Sequence, residues 1–573
     1  MSKRKNNKKP LEWLAARSKK QRLNILLLIL SNALFSALSV AFAFAVKAII
    51  DGATEGHKNK LVSGAVALCA IVLLQFVFRI IINGLTEHIR GKLEVYYKSY
   101  IFSQILGKKY EKINSYHSGE LLNRLSSDVS VAADGVTSIV PTVVSATVRL
   151  VCAVVALVIL DPIFAVAFAG CGALVFVTIT FLRGKLKSLH KSAQETDGKV
   201  RSFMQESIEN ILAVKVFSVN DKICERSDKL QDDNFKVKMR RKNYSVTGNA
   251  IYNFIFSAGY LFALIYGAAK IYGNADFTYG SLSAILQLVN NVQVPFATLS
   301  SVFPKYYAMI ASAERLIEIE ELENEASGEK RDAEELYDKM TAICGEGLGF
   351  SYGRTPVFCG ADFRIEKGEF VVVTGASGIG KSTLVKMMLG VYAPTDGELY
   401  IKTSDGKVAA DVSARTLFSY VPQGNMLFSG TLRDNVTFVK SDATEEEIAK
   451  ALEISCSADF VKELPDGLET VVGENGVGLS EGQIQRIAVA RAVLAGAHIM
   501  ILDEATSALD EATESKVLSE LKTLKNVTLI IISHKKAAYG ICDKEISVKA
   551  GKITVKELKN PSRGKISGLN TEK

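Results

Sequence analysis

A glycine-rich loop with a lysine and three hydroxyl side chains stands between a short apolar strand and a helical pattern. The strand is Phe370–Thr374, the loop that follows is GASGIGKST, and LVKMMLG comes next. This is the GxxxxGK[ST] pattern in the strand–loop–helix context that phosphate binding needs, which a chance glycine-rich turn would lack. Backbone N–H groups of residues 378–382 are expected to surround a β-phosphate, with Lys381 on the β- and γ-phosphates and Ser382 on Mg²⁺. The expected nucleotide-binding residues here are Gly375, Ser377, Gly378, Ile379, Gly380, Lys381, Ser382 and Thr383.

Two carboxylates follow a second apolar strand. The strand is His498–Leu502, and Asp503 and Glu504 come directly after it. An acid at a strand end beside a phosphate loop holds the Mg²⁺ shell, and the next carboxylate orients or deprotonates the attacking water. A further strand, Val527–Ile532, leads to His534, which is placed to contact the γ-phosphate. These residues predict Mg²⁺-dependent hydrolysis of a nucleoside triphosphate.

The elements that must position these residues belong to the second half of the chain. From Thr341 onward, short β-rich runs alternate with helical patterns, which predicts a parallel α/β sheet. The first half instead carries apolar runs long enough to cross a bilayer core of about 30 Å. These six runs are Leu23–Ile50, Leu61–Ile82, Gly135–Leu160, Ile163–Leu182, Val246–Tyr272 and Leu282–Ile310. The predicted fold is an α-helical six-span transmembrane domain followed by an α/β P-loop NTPase domain.

Positive charge is concentrated on one side of the predicted spans. The net charge is +8, and nine Lys and Arg residues fall within the first 22 positions. The hydrophilic stretches 83–134 and 183–245 are also rich in Lys and Arg, so the positive-inside rule places them and both chain ends in the cytoplasm. The first apolar run is too long for a signal peptide, and no nucleic-acid motif accompanies the basic residues. We expect a multi-pass protein of a bacterial plasma membrane that contacts lipid and binds no nucleic acid.

The chain is expected to consist of four segments. A basic segment, 1–22, contains an interfacial helix with Trp13 at the level of the lipid headgroups. The transmembrane domain is 23–317, a charged linker that is neither membrane nor core is 318–340, and the nucleotide-binding domain is 341–573.

The spans are expected to continue into the cytoplasm as helices. Apolar residues recur there at four-residue steps, namely Leu93, Tyr97, Ile101 and Ile105. Turns are predicted at Ile113–Glu120 and Asn210–Phe217. Exposed loops without a role are the alternative, but two long amphipathic pairs favour docking with the nucleotide-binding half.

With these motifs in order, the sequence resembles the ATP-binding cassette (ABC) transporters, in the form of a half-transporter of the exporter type. The resemblance implies that Tyr352 stacks on adenine and that Gln423 links Mg²⁺ to the membrane domain. It also implies a helical subdomain that carries the signature sequence, Leu479–Gln483. Within the signature, Ser480, Gly482 and Gln483 are the residues implied to bind ATP. The resemblance further implies that Ser507–Asp510 connects two ATP sites and that Glu474 contacts the cytoplasmic helices.

The resemblance also implies how the chain assembles and where catalysis takes place. In the family, the signature of one motor domain faces the P-loop of a second, and this chain has one of each. A homodimer with ATP between the copies is therefore expected, since nothing marks this copy as a degenerate member of a heterodimer. Position 481 departs from the family pattern, because Glu481 replaces the commonest residue, glycine, and an acid there favours the dipole at a helix start. The catalytic residues implied are Glu504, His534, Lys381 and Gln423, and the Mg²⁺ ligands are Ser382, Gln423 and Asp503.

Polar residues inside the predicted spans are candidates for substrate contact. Gln287, Asn290 and Asn291 share one face of the sixth span, and Arg149 lies near the middle of the third. The alternative is a structural role, as hydrogen bonds between helices or, for Arg149, a bond to a side chain such as Asn290. Three further basic residues, Lys47, Lys270 and Arg79, lie near span ends, where such side chains usually snorkel to the interface. An Arg149 that faced a cavity would favour a substrate with a negative group.

The function expected is ATP-driven export of an amphipathic substrate by a dimer that alternates between inward- and outward-open states. The substrate would be a peptide, a lipid or a drug-like small molecule. Two alternatives remain open, a fused importer of the same fold for a metal chelate and an ATP-gated regulator or channel. Glu504 argues against the regulator, since some sites of that class lack a catalytic carboxylate.

Overall fold

The computed structural model describes residues 8–273, 277–326, 331–424, 427–473 and 478–558. The chain forms two compact units. The first contains Met1–Ile105 and Ser118–Glu321, and the second contains Leu106–His117 and Leu322–Lys573. A short segment of the predicted membrane half, 106–117, therefore belongs to the same unit as the nucleotide-binding half.

The first unit is built from long helices. They are α1 Lys8–Arg17, α2 Arg22–Thr54, α3 Lys58–Leu106, α5 Ser118–Asn123, α6 Val129–Leu160, α7 Pro162–Glu209, α8 Ile211–Val216, α9 Asn220–Gly273 and α10 Tyr279–Glu321, while α4, Tyr110–Asn114, belongs to the second unit. The predicted turns near residues 113–120 and 210–217 thus contain short helices, α4 with the start of α5 and α8 respectively. A single π-helical turn, Arg124–Asp128, joins α5 to α6.

In the described residues, five helices are long and apolar enough to cross a membrane, namely Lys19–Thr54, Lys58–Leu106, Ser118–Leu160, Asn220–Gly273 and Tyr279–Glu321. They correspond to predicted spans one, two, three, five and six. The fourth predicted span falls in α7, where the apolar segment found is shorter, Pro162–Val175. With 49 residues, α3 is about 74 Å long, more than twice the thickness of a bilayer core. The predicted extensions beyond the membrane are therefore present, and Leu93, Tyr97 and Ile101 are buried on one face.

Apolar side chains hold the membrane helices together. Helix α6 packs against α10 and α2, and α7 packs along α9. Their shared core includes Phe164, Phe256, Ile285 and Leu288, each at most 2% exposed. Because such helices lie in lipid on their outer side, many exposed side chains are also apolar, as expected of a bundle that spans a bilayer.

The basic residues at span ends have protein partners that the sequence did not predict. Lys47 donates to Asp51 at 2.5 Å, and Asp51 also accepts from the backbone N–H of Gly280 at 2.9 Å. Lys270 pairs with Asp161, whose side chain is almost fully buried. The apolar pattern did not predict these pairs, because each partner carboxylate lies at a helix end just outside the predicted apolar runs.

Side-chain hydrogen bonds connect helix α1 to the end of α10. The indole N–H of Trp13 and the guanidinium of Arg17 both donate to Glu320. Arg17 also lies over the ring of Tyr100, 3.9 Å from its centroid. The polar atom of Trp13 therefore has a partner within the protein, which the sequence pattern did not predict.

The second unit contains twelve strands among its described residues. They are β1 Met340–Tyr352, β2 Thr355–Glu366, β3 Phe370–Thr374, β4 Asp396–Thr403, β5 Gly406–Ala409, β6 Phe418–Val421, β7 Gly430–Thr431, β8 Val471–Val472, β9 Ile499–Asp503, β10 Thr528–Ile532, β11 Lys544–Lys549 and β12 Lys552–Glu557. The order in the main sheet is β12-β11-β3-β10-β9-β6, and only β12 is antiparallel to its neighbour. A second sheet, β2-β1-β4-β5, is antiparallel.

The central strands explain why the site forms where it does. Every residue of β3, β9 and β10 is buried, as expected for a parallel sheet covered on both faces. These three strands are neighbours and run in the same direction. Their carboxyl ends therefore meet at one edge, which is where open α/β sheets bind ligands.

The helices of the second unit cover this sheet and form a separate helical part. They are α11 Ala333–Lys339, α12 Lys381–Met388, α13 Leu432–Val436, α14 Glu445–Ile454, α15 Ala458–Glu463, α16 Glu481–Leu494, α17 Glu511–Leu521 and α18 Lys536–Ile541. Helices α13 to α16 share their own core, which includes Leu432, Ile448, Phe460 and Ile487. This is the predicted helical subdomain, and α16 begins inside the signature sequence.

The predicted linker is not a single connecting segment. Helix α10 continues to Glu321, and α11, which Asp332 caps by accepting from the N–H groups of Glu334 and Glu335, occupies 333–339. Leu336 and Tyr337 of α11 are buried in the core of the second unit. The expectation that this stretch lies outside any core was wrong, because two apolar residues among many charges are enough to fix one short helix.

Candidate functional site

The glycine-rich loop connects β3 to α12. Gly375 and Gly380 have φ values of 148° and 115°, which side-chain-bearing residues rarely adopt. A Cβ on Gly380 would lie 2.5 Å from Cγ1 of Val357, and one on Gly375 would lie 2.6 Å from the carbonyl oxygen of Val548. Both positions therefore need glycine, because the loop turns sharply against its neighbours before α12 begins.

Lys381 lies within this loop and is 6% exposed. Its Nζ donates to the carbonyl oxygens of Gly375 at 2.7 Å and Ala376 at 3.2 Å. The same atom lies 3.2 Å from Nε2 of His534, at the end of β10. The structure thus brings Lys381 and His534 together, with the ammonium held by groups that a phosphate can replace.

Asp503 ends β9 and is 1% exposed. Burial raises the pKa of its carboxyl, against the opposing effect of hydrogen bonds from Ser382 and Tyr420. Its Oδ2 accepts from the Tyr420 hydroxyl at 3.2 Å, while its buried Oδ1 has no hydrogen-bond partner among the described residues. A buried carboxylate oxygen without a partner, beside the hydroxyl of Ser382, fits Mg²⁺, which prefers oxygen ligands.

Glu504 has an unusual backbone conformation. Its φ is 51°, in the left-handed region, and its N–H donates to the carbonyl oxygen of Ile532 at 3.1 Å. Such a conformation costs of the order of 1 kcal/mol in a residue other than glycine, and it is common at functional sites. Its Oε2 accepts from Nε2 of Gln423 at 2.6 Å. Two residues expected to be catalytic, 81 positions apart in sequence, are therefore in direct contact.

Tyr352 ends β1 and is 45% exposed. Its hydroxyl lies 3.1 Å from Oγ1 of Thr383, in the first turn of α12. Its ring meets Tyr392 and Phe350 edge-on, at centroid distances of 5.7 and 5.0 Å. An aromatic ring with free surface, tied to the helix that follows the phosphate loop, is suitably placed for stacking on a base.

The signature sequence begins α16. Ser480 is the N-cap, and it exchanges hydrogen bonds with Gln483, from Ser480 N to Oε1 at 2.8 Å and from Gln483 N to Oγ at 3.3 Å. Glu481 is the first residue of the helix and is exposed, a position where a negative charge is favourable. Glu474 lies outside the described residues.

Within the described part of this single chain, no hydrogen bond or ion pair joins the signature residues Ser480, Gly482 or Gln483 to the phosphate loop. Hydrogen bonds thus connect the predicted residues around Lys381. The predicted signature residues form hydrogen bonds with one another but, among the described residues, none with that group.

Two residues that belong to no sequence motif form hydrogen bonds with the loop 507–510 and with Thr506 just before it. Gln485 donates to Oγ of Ser507 at 3.0 Å and accepts from the N–H of Ala508 at 3.0 Å. Lys535, directly after His534, donates to the carbonyl oxygens of Thr506 and Leu509 at 2.9 and 2.8 Å. No local pattern marks either residue, because each acts on a loop that lies more than twenty positions away in sequence.

In the membrane unit, Arg149 and Asn291 are in contact. Nε of Arg149 donates to Oδ1 of Asn291 at 2.8 Å, and Asn291 in turn donates to the carbonyl oxygen of Ser39 at 3.3 Å. The partner is therefore Asn291, not Asn290, which is exposed, while Gln287 bonds weakly to Ser283. No carboxylate forms an ion pair with Arg149 among the described residues.

An apolar cavity of about 420 Å³ lies between α6, α7 and α10. Its wall includes Leu150 and Val154 of α6, Phe168 of α7, and Val292 and Phe296 of α10. Leu150 and Val292 directly follow Arg149 and Asn291 in sequence. The residues that line this space suit an apolar group, and Arg149 and Asn291 are not among them.

Family models match both halves of the chain. The model described as "ABC transporter transmembrane region" matches residues 22–296, and the model described as "ABC transporter" matches residues 358–507. These two regions occur in the order and on the elements described above, and the predicted resemblance is thereby confirmed.

Relatives with curated names are similar over almost the whole chain. The sequence is 28% identical to "ABC transporter B family member 1" of Dictyostelium discoideum over 95% of this chain and 60% of that protein. It is 27% identical to "ATP-dependent lipid A-core flippase" of Chromobacterium violaceum over 92% of this chain and 91% of that protein. The chain therefore spans less than two thirds of the first relative but nearly all of the second.

The fold is similar to that in "Structure of a bacterial Atm1-family ABC exporter with ATP bound". The TM-score is 0.78 with 21% identity, over 93% of this chain and 94% of the other. Because the sequence identity is this low, the comparison supports the fold alone. The shared fold is a helical membrane domain and an α/β nucleotide-binding domain in one chain. The chain belongs to the ABC transporters, with the membrane domain and the ATP-binding domain in one polypeptide.

Proposed function

We propose that this protein is an ATP-driven exporter in which two copies of the chain hydrolyse ATP to move an amphipathic substrate out of the cytoplasm. The observation that carries the proposal is the convergence of Lys381, Asp503, Glu504 and His534 at one edge of the sheet, in a chain that also has a membrane domain. The name of one relative, an ATP-dependent lipid A-core flippase, supports the direction of transport.

The proposed hydrolysis assigns a step to each residue. Lys381 exchanges its loop carbonyls for the β- and γ-phosphate oxygens of ATP, and Tyr352 stacks on adenine. Ser382, Gln423 and Asp503 would hold Mg²⁺, which neutralises phosphate charge when bound. Glu504 accepts a proton from the attacking water.

Two further assignments concern the γ-phosphate and the resting state of the site. His534 contacts the γ-phosphate, as its position beside Lys381 allows. The bond from Gln423 to Glu504 has to lengthen or break for that carboxylate to reach water. We infer that nucleotide binding rearranges this contact before hydrolysis.

The proposed active form is a homodimer. Ser480, Gly482 and Gln483 make no described contact with the phosphate loop of their own chain, so a second copy would supply them to complete each site. Two differently tagged copies of the Glu504→Gln variant should co-purify in ATP and separate more readily without nucleotide. If they co-purify equally with and without ATP, nucleotide is not what joins them.

The proposed substrate is amphipathic and carries a negative group. Arg149 lacks a carboxylate partner among the described residues, and the next residue in sequence, Leu150, lines an apolar cavity. A negative head and an apolar tail would then each have a suitable surface in this part of the bundle. Arg149→Gln should lose transport of anionic compounds, and Arg149→Lys should retain it. Arg79→Gln is the control, since Arg79 lies over the ring of Phe35 elsewhere in the bundle. Equal loss of folded protein in both Arg149 variants would show a structural role instead.

Alanine substitutions, assayed for transport and for ATPase activity, test the polar face of α10. Asn290→Ala should change transport because its side chain is exposed, whereas Asn291→Ala should release Arg149 from its hydrogen bond. Equal changes of basal and substrate-stimulated ATPase in Asn290→Ala and Gln287→Ala would favour a purely structural role for this face.

The proposed location is a bacterial plasma membrane with both chain ends in the cytoplasm. Cys224 offers a direct test, because it is exposed near the start of α9, in the stretch expected to be cytoplasmic. A membrane-impermeant maleimide should label Cys224 in inside-out vesicles and not in intact cells. Labelling in intact cells would reverse the orientation and with it the direction of transport.

A further inference from the structure

Tyr420 lies beside the proposed metal site but belongs to none of the motifs. It is the third residue of β6, the edge strand that pairs in parallel with β9. In this register, Tyr420 is opposite Ile501, two residues before Asp503. Its half-buried side chain extends forward along the sheet, and its hydroxyl donates to Oδ2 of Asp503 at 3.2 Å.

This hydrogen bond is made to one of the two oxygens of the Asp503 carboxylate. Asp503 is 1% exposed, and its Oδ1 has no hydrogen-bond partner among the described residues. The terminal torsion of an aspartate is broad, so a buried carboxylate that makes few bonds can rotate. The phenol of Tyr420 restricts this rotation by holding Oδ2, and it leaves Oδ1 available for a metal ion.

We propose that Tyr420 is a positioning residue that orients the Asp503 carboxylate for Mg²⁺. This inference rests on the proposed ATPase function and adds a residue to its metal site. A residue of this kind acts through the metal ligand that it orients, as outer hydrogen-bond partners commonly do in metal sites. Tyr420 itself contacts neither the metal nor ATP.

Tyr420→Phe removes the hydroxyl and keeps the ring. The chain also offers a matched control, because Tyr400 in β4 donates its hydroxyl to another carboxylate, that of Glu346, on a different sheet. Tyr400→Phe therefore makes the same chemical change without a link to Asp503. Both variants are made in the full-length chain that carries Glu504→Gln, so that hydrolysis does not consume the ATP.

The first measurement is the binding of Mn²⁺, a paramagnetic substitute for Mg²⁺, in the presence of ATP. The electron paramagnetic resonance signal of the free ion reports how much Mn²⁺ remains unbound. We expect Tyr420→Phe to weaken Mn²⁺ binding about fivefold. This factor corresponds to the typical net free-energy contribution of one hydrogen bond. ATP binding in excess chelator should be unchanged, because Tyr420 does not contact the nucleotide. Unchanged Mn²⁺ affinity in Tyr420→Phe, or an equal loss in Tyr400→Phe, would overturn the proposal.

A double-variant cycle tests whether Tyr420 acts through Asp503. If it does, Tyr420→Phe should cause no further loss of Mn²⁺ affinity once Asp503→Asn is present. Full additivity of the two losses would overturn the proposal even if Tyr420→Phe alone weakens binding.

With Glu504 restored, the Mg²⁺ dependence of ATP hydrolysis separates this role from others. The Mg²⁺ concentration for half-maximal rate should rise about fivefold, with kcat at saturating Mg²⁺ within about twofold of the parent. A lower kcat with an unchanged Mg²⁺ requirement would show that the hydroxyl only stabilises the sheet edge. If no variant hydrolyses ATP, including the parent, the proposed function fails, while the Mn²⁺ measurement still decides the role of Tyr420.

Discussion

The side-chain amide of Gln423 donates to the carboxylate of Glu504 at 2.6 Å. Beside this pair, Lys381 bonds to carbonyl oxygens of its own loop. Both contacts satisfy groups that the proposed mechanism needs for water and phosphate. ATP therefore has to replace internal hydrogen bonds as it binds, which links occupancy of the site to a change in its geometry.

Replacing Glu504 by Gln should reduce ATP hydrolysis at least about 100-fold, because general-base catalysis contributes that much or more. ATP binding should persist, since the phosphate loop is untouched, and the dimer should remain closed on ATP. Hydrolysis and filter binding of labelled ATP measure the two effects separately. Glu511→Gln is the control, being an exposed acid in the first turn of α17. A wild-type rate in Glu504→Gln would remove Glu504 from the mechanism.

Lys381→Ala should abolish productive ATP binding, because the β- and γ-phosphate charge loses its main cation. Tyr352→Ala should weaken binding less, about tenfold, by the loss of stacking. Tyr352→Phe keeps the ring and loses only the bond to Thr383, so it should bind ATP almost as the wild type does. Equilibrium binding of a fluorescent ATP analogue measures all three. Equal inactivity of the Lys381 and Tyr352 variants would contradict the stacking role.

Tyr337→Ala should destabilise the nucleotide-binding unit by about 3 kcal/mol, the usual cost of removing a buried aromatic side chain. Tyr337 is 1% exposed although it lies in a highly charged stretch. Thermal unfolding of the full chain, compared with Glu334→Ala on the exposed face of α11, measures the difference. If the two variants melt at the same temperature, α11 contributes nothing to the core.

Asp161→Asn should destabilise the membrane unit by about 3 kcal/mol, because it leaves Lys270 beside a nearly buried neutral group. The exposed pair of Lys60 and Glu55 provides the comparison, and Glu55→Gln should change stability by less than about 1 kcal/mol. Thermal aggregation of both variants in the same detergent is the measurement. Similar losses in both would mean that burial of the Asp161 pair is unimportant.

The sequence predicted those parts of the site whose residues are contiguous. The phosphate loop and the pair of Asp503 and Glu504 each directly follow one apolar strand. The local sequence therefore predicts both the residues and their place at the end of a strand. Tyr420 and Lys535 could not be predicted in the same way, because their roles depend on which strands and loops become neighbours. The same limit explains why the partners of Trp13 and Lys270 were not predicted, since they lie more than one hundred positions away.

The most direct test of the account is ATP-dependent movement of an anionic amphipathic compound by the purified protein. A fluorescent fatty-acyl aspartate is added outside inside-out proteoliposomes, with Mg²⁺ and ATP, and its accumulation within them is measured. The account predicts accumulation with the wild-type chain, none with Glu504→Gln, and reduced accumulation with Arg149→Gln but not with Arg149→Lys. Equal accumulation with wild type and Glu504→Gln would contradict it, because transport would then not depend on hydrolysis at this site.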